Sequence, residues 1–353
     1  MSTRLAQAGG EIQSIAEFPA ESGTDAGTTS AAISSTKAYT GLYALRHQTT
    51  TKGRGLTIPA TTQIKGGFFI NHAGTSGTSA SAKPVLLFLA PSSSSAHYVV
   101  WNTNTGNLEM YVNAVQVATY AVSGGFSTTN TWFHVGFTFK AHASAGYFTL
   151  YLNGVAILTY SGNTTNTNGI VAVLTGGVLV SQTATWANSM YIDDIWVDDD
   201  SGGADVAPAS KRFLWSLANG AGASAQFTPL ASTNISQVSD SGAPDDDTSY
   251  VYASAANLTD LYNTTDIAVP AGYAIIAAIP VAWAKRTNAA VASQLNLKAY
   301  DGANTETSPS AKTPTTTYGP VWDRFTTAPD GSTAWTQTGF NSAQFGFASA
   351  GSF

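Results

Sequence analysis

The chain predicts an all-β protein built as two consecutive antiparallel sandwiches. Three observations predict it. No long stretch places apolar residues at i, i+3, i+4 and i+7 among good helix formers. Short runs of Val, Ile, Phe, Tyr and Thr recur between clusters of Gly, Asn and Ser. About ten or more such runs crowd the first half with no room for crossover helices, which calls for antiparallel sheets packed face to face.

The elements follow in order. Residues 1–24 read as an N-terminal arm or lead-in, with an early strand as the alternative, and the Gly/Thr/Ser-rich stretch to residue 35 as a loop. Strands are expected near 39–47, 66–71, 84–90, 97–101, 107–112 and 115–121. Trp132–Lys140 alternates Phe133, Val135, Phe137 and Phe139 against His134 and Thr138, so one face is buried and His134 is expected on the exposed one. The next strand, 147–152, runs into Asn153-Gly154, a strong hairpin signal because both residues tolerate positive φ. Strands at 155–160, 170–180 and 190–198 complete the first domain. Residues 201–212 read as a linker. Beyond it, strands are expected at 249–253, 273–284, 290–300 and 318–325. Tyr273 to Ile279 is apolar on both faces, which suits a central strand or a subunit contact, with Pro280 as the interruption. Residues 305–317 read as an exposed loop.

Composition and charge exclude several functions. At 353 residues the chain has room for about two domains of roughly 150 residues. Only 10% of residues are charged, against roughly 25% in a typical soluble domain, while 11% aromatic content argues against disorder. The absence of cysteine excludes disulfides, thiol nucleophiles and cysteine-bound zinc. A net charge of −6 speaks against general nucleic-acid binding. No apolar run approaches the ~18–20 residues of a membrane helix, and Met1 to Ile15 lacks a signal-peptide core, so no membrane insertion is expected.

The acids are unevenly placed. Between Ala26 and Ile192 only Glu109 is acidic, against Lys37, Arg46, Lys52, Arg54, Lys65, Lys83 and Lys140. That basic excess would suit an acidic glycan or a negatively charged neighbour. Asp193, Asp194, Asp198, Asp199 and Asp200 then arrive together.

Four segments resemble the concanavalin A-like (laminin G-like) jelly roll. Trp132 to Phe139 matches its W-x-H-V strand, and Leu150-Tyr151-Leu152-Asn153-Gly154 its L-Y-x-N-G strand. Tyr39 to Arg46 is similar to the early G-x-Y-x-L strand, and Tyr191 to Val197 to the closing I-D-D-I-x-V strand. The resemblance implies two curved antiparallel sheets of six or seven strands, one of which often binds carbohydrate in this family.

The second half has its own resemblance. Leu217-Ala218-Asn219-Gly220-Ala221-Gly222, Phe227-Thr228-Pro229-Leu230 and Pro244-Asp245-Asp246-Asp247-Thr248-Ser249-Tyr250-Val251 are similar to segments of tailed-bacteriophage structural proteins. Ala218 stands where that family has Pro, and Ala221 where it has Asp. The resemblance implies a virion component whose partners are other virion proteins and copies of itself. A tail-associated appendage (fibre, tip or baseplate) is expected ahead of a capsid decoration or cement protein, and a lectin-like carbohydrate-binding module is the further alternative.

Catalysis has little to work with. Glycoside hydrolysis needs two carboxylates about 5–10 Å apart. Glu109 has no acidic neighbour in sequence, and the consecutive Asp193 and Asp194 are expected on opposite faces of a strand. No G-x-S-x-G elbow and no H-E-x-x-H pattern occurs. The expectation is therefore a protein that is not an enzyme and needs no cofactor. Two sets of residues still invite ligands. Trp186, Trp101 and Tyr111 could stack on sugar faces of a host-surface glycan. Asp193, Asp194, Asp198 and Asp199 supply carboxylates for calcium, against the alternative of solvated loop acids.

Overall fold

A computed structural model of the chain describes residues 3–8, 20–21, 32–36, 38–39, 44–48, 53–73, 83–91, 96–102, 105–122, 131–165, 169–176, 189–201, 203, 208–239, 244–289 and 292–353. Trp186 lies outside them. The chain divides into two compact units, Met1–Phe213 and Leu214–Phe353.

The first unit is an antiparallel jelly-roll sandwich, with fifteen strands among the described residues. They are β1 (Thr3–Ala8), β2 (Ala20–Glu21), β3 (Ala32–Ser34), β4 (Ala44–Gln48), β5 (Arg54–Thr61), β6 (Gln63–Ala73), β7 (Val85–Pro91) and β8 (His97–Asn102). There follow β9 (Asn107–Val112), β10 (Val115–Ala121), β11 (Trp132–Lys140), β12 (Gly146–Leu152), β13 (Val155–Gly162), β14 (Ile170–Thr175) and β15 (Ser189–Asp199). One sheet has the order β13-β12-β11-β6-β15-β4-β3, with β1 also paired to β15; the other runs β10-β9-β8-β7-β14-β5-β2.

Alternation builds the core between these sheets. Phe137 and Phe139 of β11, Phe68 and Ile70 of β6, and Leu108 and Met110 of β9 point inward and are fully or almost fully buried. The β12–β13 hairpin turns at Asn153 (φ 48°) and Gly154 (φ 83°), as the Asn-Gly pair requires. Strand β5 was not expected, because Gly53, Gly55 and Pro59 depress strand propensity. Its pairing with β14 shifts register between Ile170 and Ala172, and Pro59 lies opposite that irregularity, where its missing N–H costs no ladder bond.

Among the described residues, the second unit holds a five-stranded sheet and two short ladders. Its strands are β16 (Ala218–Ala225), β17 (Thr228–Pro229), β18 (Val251–Tyr252), β19 (Thr259–Thr264), β20 (Val281–Ala284), β21 (Ser293–Tyr300), β22 (Thr305–Thr307), β23 (Gly319–Trp322) and β24 (Gln344–Gly351). Two short helices, α1 (Asn234–Val238) and α2 (Gln337–Ser342), complete it. The large sheet has the order β16-β19-β24-β21-β22, while β17 pairs with β18 and β20 with β23. Leu297, Ala299, Phe325 and Trp335 centre its core, and the Trp335 indole donates to the Phe325 carbonyl at 3.0 Å.

Two expectations fail in this unit, and three strands were missed. Residues 273–280 form no central strand; only Ala278 bridges, exchanging two 2.9 Å hydrogen bonds with Phe325, and Ile276 is 53% exposed. The turn at Gly272 (φ 83°) and the absent donor of Pro280 cut the apolar run short. The expected loop at 305–317 begins as β22, and Ser308 is buried, its N–H on the Leu297 carbonyl. Strands β16, β19 and β24 were not anticipated, since their Gly, Ala, Asn and Ser content hides alternation that only the neighbouring strands make legible.

Candidate functional site

The two outward sheet faces of the first unit differ in kind. On the β6–β11–β15 face, Phe69, Asn71, His134, Thr138, Tyr191, Asp193, Trp196 and Asp198 are all buried. His134 is thus not the exposed strand residue expected. Tyr39 and residues 208–213 lie over this face: Tyr39 stacks on Phe69 at 3.6 Å, and Phe69 meets the His134 ring at 5.1 Å. Gly67 makes room here, for a Cβ there would lie 2.8 Å from His134 Nε2. Residues 208–212, the end of the stretch read from sequence as a linker, and Phe213 lie over the same face. The Lys211 ammonium sits 3.6 Å over the Trp196 ring and donates to Asp198 Oδ2 at 2.7 Å.

The aspartates of β15 are engaged by the protein itself. Asp193 accepts from the amides of Tyr39 at 2.7 Å and Asp194 at 2.8 Å. Asp194, at φ 50°, forms a bulge and accepts from the Phe213 amide at 3.2 Å. Both consecutive carboxylates therefore meet donors from the covering segments. The expectation that they point to opposite faces fails because the bulge breaks the two-residue period. Asp199 accepts from the amide and hydroxyl of Ser201, and Asp200 pairs with Lys65 at 2.7 Å. Among the described residues, no group of three or more His, Asp or Glu is arranged to hold a metal ion.

The other sheet carries a partly open aromatic ledge. Register places Phe88, Tyr98 and Tyr111 directly opposite one another on β7, β8 and β9. Their rings stack in a row, Phe88 to Tyr98 at 6.0 Å and 9°, Tyr98 to Tyr111 at 4.6 Å and 17°. Glu109 lies two residues before Tyr111 and so shares its face. Its carboxylate accepts from Lys83 Nζ at 2.8 Å, Asn102 Nδ2 at 2.7 Å and the Tyr111 hydroxyl at 2.8 Å. Lys83 Nζ also lies 3.3 Å from the Tyr111 oxygen, and Gln116 Oε1 lies 3.2 Å from it.

The electrostatics lock this cluster. The hydrogen bond to Glu109 holds the Lys83 ammonium above its usual pKa. Burial pushes Glu109 upward, but the donors Lys83, Asn102 and Tyr111 outweigh it and hold the carboxyl below its usual range. Burial and the bond to Glu109 raise the Tyr111 phenol. At neutral pH the cluster is an ammonium, a carboxylate and a neutral phenol, and none is poised to exchange a proton.

Of the aromatic candidates, the structure brings Tyr111 to this ledge. Trp101 packs against the inter-sheet core instead, and Trp186 lies outside the described residues. Lys83, Phe88, Tyr98 and Asn102 were missed. The alternation of 107–111 put Glu109 and Tyr111 on one face, but only the register of β8 and β7 aligns Tyr98 and Phe88 beside them.

No protein-family model matches the chain, and no curated protein matches it. Solved structures with partial likeness include the cellulose-induced protein Cip1, at 15% identity and TM-score 0.38, covering 56% of this chain and 93% of that one. The alginate lyase Aly36B is 14% identical at TM-score 0.39, covering 59% and 98%. Domain 4 of AbnA, a GH43 extracellular arabinanase from Geobacillus stearothermophilus in complex with arabinotriose, is 14% identical at TM-score 0.38, covering 59% and 95%. Likeness of this extent carries no information about activity. Among the described residues, no helix is long and apolar enough to cross a membrane.

Proposed function

We propose that this is a binding and assembly protein rather than an enzyme. More particularly, we propose a structural component of a tailed-phage virion, tail-associated, whose first unit holds a host-surface glycan on the Phe88–Tyr98–Tyr111 ledge. One observation carries the glycan reading: a stacked aromatic row, partly open, is bordered by a hydrogen-bonded cluster of Lys83, Glu109 and Asn102. Sugar rings present an apolar face and a rim of hydroxyls, and such a ledge offers a surface for each. The locked protonation of the cluster supports binding over proton-transfer chemistry. The virion reading rests on the resemblance of the 217–251 segments, and the sparsely charged surface supports it, since Thr, Ser, Asn and Ala desolvate at little cost in repeated interfaces.

A glycan array probed with the full chain tests the first part. Saturable binding is expected, weakened about tenfold or more in Tyr111→Ala, a loss of about 1.4 kcal/mol. Uniform silence across neutral and acidic glycans would remove the glycan reading. Immunogold labelling of intact virions tests the second part: label on the tail is expected, and label on the capsid surface would favour a decoration protein.

No cofactor enters this reading. Because Asp193, Asp194, Asp198 and Asp199 already accept from amides, a hydroxyl or Lys211, neither EDTA nor added calcium is expected to shift Tm. A rise of several degrees on adding calcium would show that these acids bind it.

A further inference from the structure

The basic excess of the first unit reads from sequence as suited to an acidic glycan. Folding spends that excess away from the ledge. Among the described side chains, Lys65 pairs with Asp200 at 2.7 Å and Lys211 with Asp198 at 2.7 Å. Arg46 lies over the Tyr191 ring at 5.8 Å, and Arg212 over the Tyr39 ring at 4.6 Å. All four lie with the β11–β6–β15–β4 sheet, as does Lys140 at the end of β11.

Arg54 belongs to the ledge's own sheet but to its other face. It stands opposite Thr175, the neighbour of Leu174, and Leu174 stands opposite Phe88. Successive side chains of a strand alternate faces, so Arg54 points away from Phe88. Its charge reaches His47 on the opposing sheet.

The cation that remains at the ledge is Lys83, and Glu109 cancels it. The ammonium donates to the carboxylate at 2.8 Å. A ligand carboxylate drawn to Lys83 would also face Glu109. Attraction and repulsion then nearly cancel, while the cost of stripping water from the ligand's charge remains.

The single proton of the Tyr111 phenol has the same consequence. The Glu109 carboxylate takes it at 2.8 Å, the charged acceptor outcompeting a neutral one. The Gln116 amide lies 3.2 Å from the same phenol oxygen, which has no second proton to give. A half-turn of that amide lets its NH2 group donate to Tyr111 and turns Oε1 outward. Gln116 is exposed, so its carbonyl meets whatever lies on the ledge. A sugar hydroxyl can donate to a carbonyl, whereas an ionised carboxylate only accepts.

We propose that the Phe88–Tyr98–Tyr111 ledge selects uncharged sugars. Gln116 accepts from a ligand hydroxyl, and the cancelled Lys83–Glu109 pair gives acidic sugars no advantage. The proposal rests on the glycan reading and narrows its ligand class.

Matched glycans test it on the full chain: neutral glycans, acidic glycans, and the carboxyl-reduced form of each acidic one, in which CH2OH replaces COO−. Wherever a matched pair binds, the reduced member is expected to bind about tenfold or more tightly than the acidic one. Its affinity is expected to change less than about twofold between ~50 and ~300 mM salt. Glu109→Gln leaves Lys83 uncancelled and is expected to shift the preference about tenfold toward the acidic member. Acidic members that bind as tightly as their reduced forms overturn the proposal and leave the glycan reading standing. A folded Glu109→Gln chain with the parent's preference does the same. Should Glu109→Gln not fold, the matched pairs on the parent decide alone. Silence across all three sets removes the glycan reading, and this proposal with it.

Discussion

Lowering the pH from 7 to about 4.5 is expected to unfold the first unit and leave the second folded. Three histidines cause it. His47, His97 and His134 are buried in the first unit. Burial, helped by the Arg54 charge, lowers the His47 pKa from 6.5 to about 3. Burial alone lowers His97 and His134 to about 4. The imidazoles are hemmed in by apolar rings, His97 against Phe139 at 4.7 Å and His134 against Phe69 at 5.1 Å. In the unfolded chain each takes up a proton as the pH falls through about 6.5. In the folded unit each stays neutral to about pH 3–4. Over that window the unfolded state binds more protons, so stability is fully present above pH 6.5 and is lost as the pH falls.

Each histidine contributes a slope of ~1.4 kcal/mol per pH unit, and three give ~4 kcal/mol per unit. By pH 4.5 the loss is on the order of 7 kcal/mol, comparable to the ~5–15 kcal/mol stability of a whole domain. All five histidines precede residue 143, so the second unit has no such term. Calorimetry at stepped pH should show one transition falling steeply and a second nearly stationary. Replacing His97 or His134 by Gln should flatten the slope by about a third. Two transitions moving together would show that the buried imidazoles do not set the acid limit.

Removing the Asp260 carboxylate is expected to cost the second unit ~3–5 kcal/mol. Asp260 is fully buried on β19 and holds four donors. Oδ1 accepts from the amides of Gln226 at 2.5 Å and Phe227 at 2.8 Å. Oδ2 accepts from Asn234 Nδ2 at 2.5 Å and the Tyr262 hydroxyl at 2.6 Å. The carboxylate thereby ties the end of β16 and helix α1 to the central sheet. Helix α1 presents Asn234 because Thr233 caps it and Ser236 returns the bond to the Thr233 amide. Asp260→Ala strands these donors with little water to replace the acceptor. Asp260→Asn keeps one oxygen but turns an amide donor toward other donors, so a smaller loss is expected. Urea unfolding of the full chain, followed by the second unit's tryptophans, measures both. A change below about 1 kcal/mol for Asp260→Ala would mean that the site relaxes and that the network holds little of the unit together.

The acidic run Asp245–Asp247 behaves similarly on the surface. Asp246 accepts from the Trp283 indole at 2.8 Å, and Asp247 takes Lys285 at 2.6 Å and the Tyr318 hydroxyl at 3.2 Å. Asp245 closes the turn onto Ser249. These bonds anchor the run to the β20–β23 ladder.

Where side chains alternate cleanly, the order of residues was enough. Phe133 to Phe139, the Asn153-Gly154 turn and the 107–112 run determine strands, facing and hairpin ends locally, because period and turn chemistry involve only near neighbours. The scarcity of acids before residue 192 likewise needs no structure to be seen. Tertiary structure alone decided the rest. Glu109 lacks a neighbour along the chain yet meets Lys83, 26 residues away, across the sheet. His134 alternates as an outward residue, yet it is buried on a face over which Tyr39 and residues 208–213 lie. The bulge at Asp194 and the pairing of the Ala/Gly-rich β16 belong to the same class. Each depends on what a distant segment lays alongside, and hydrogen bonding between strands is blind to how far apart they stand in sequence.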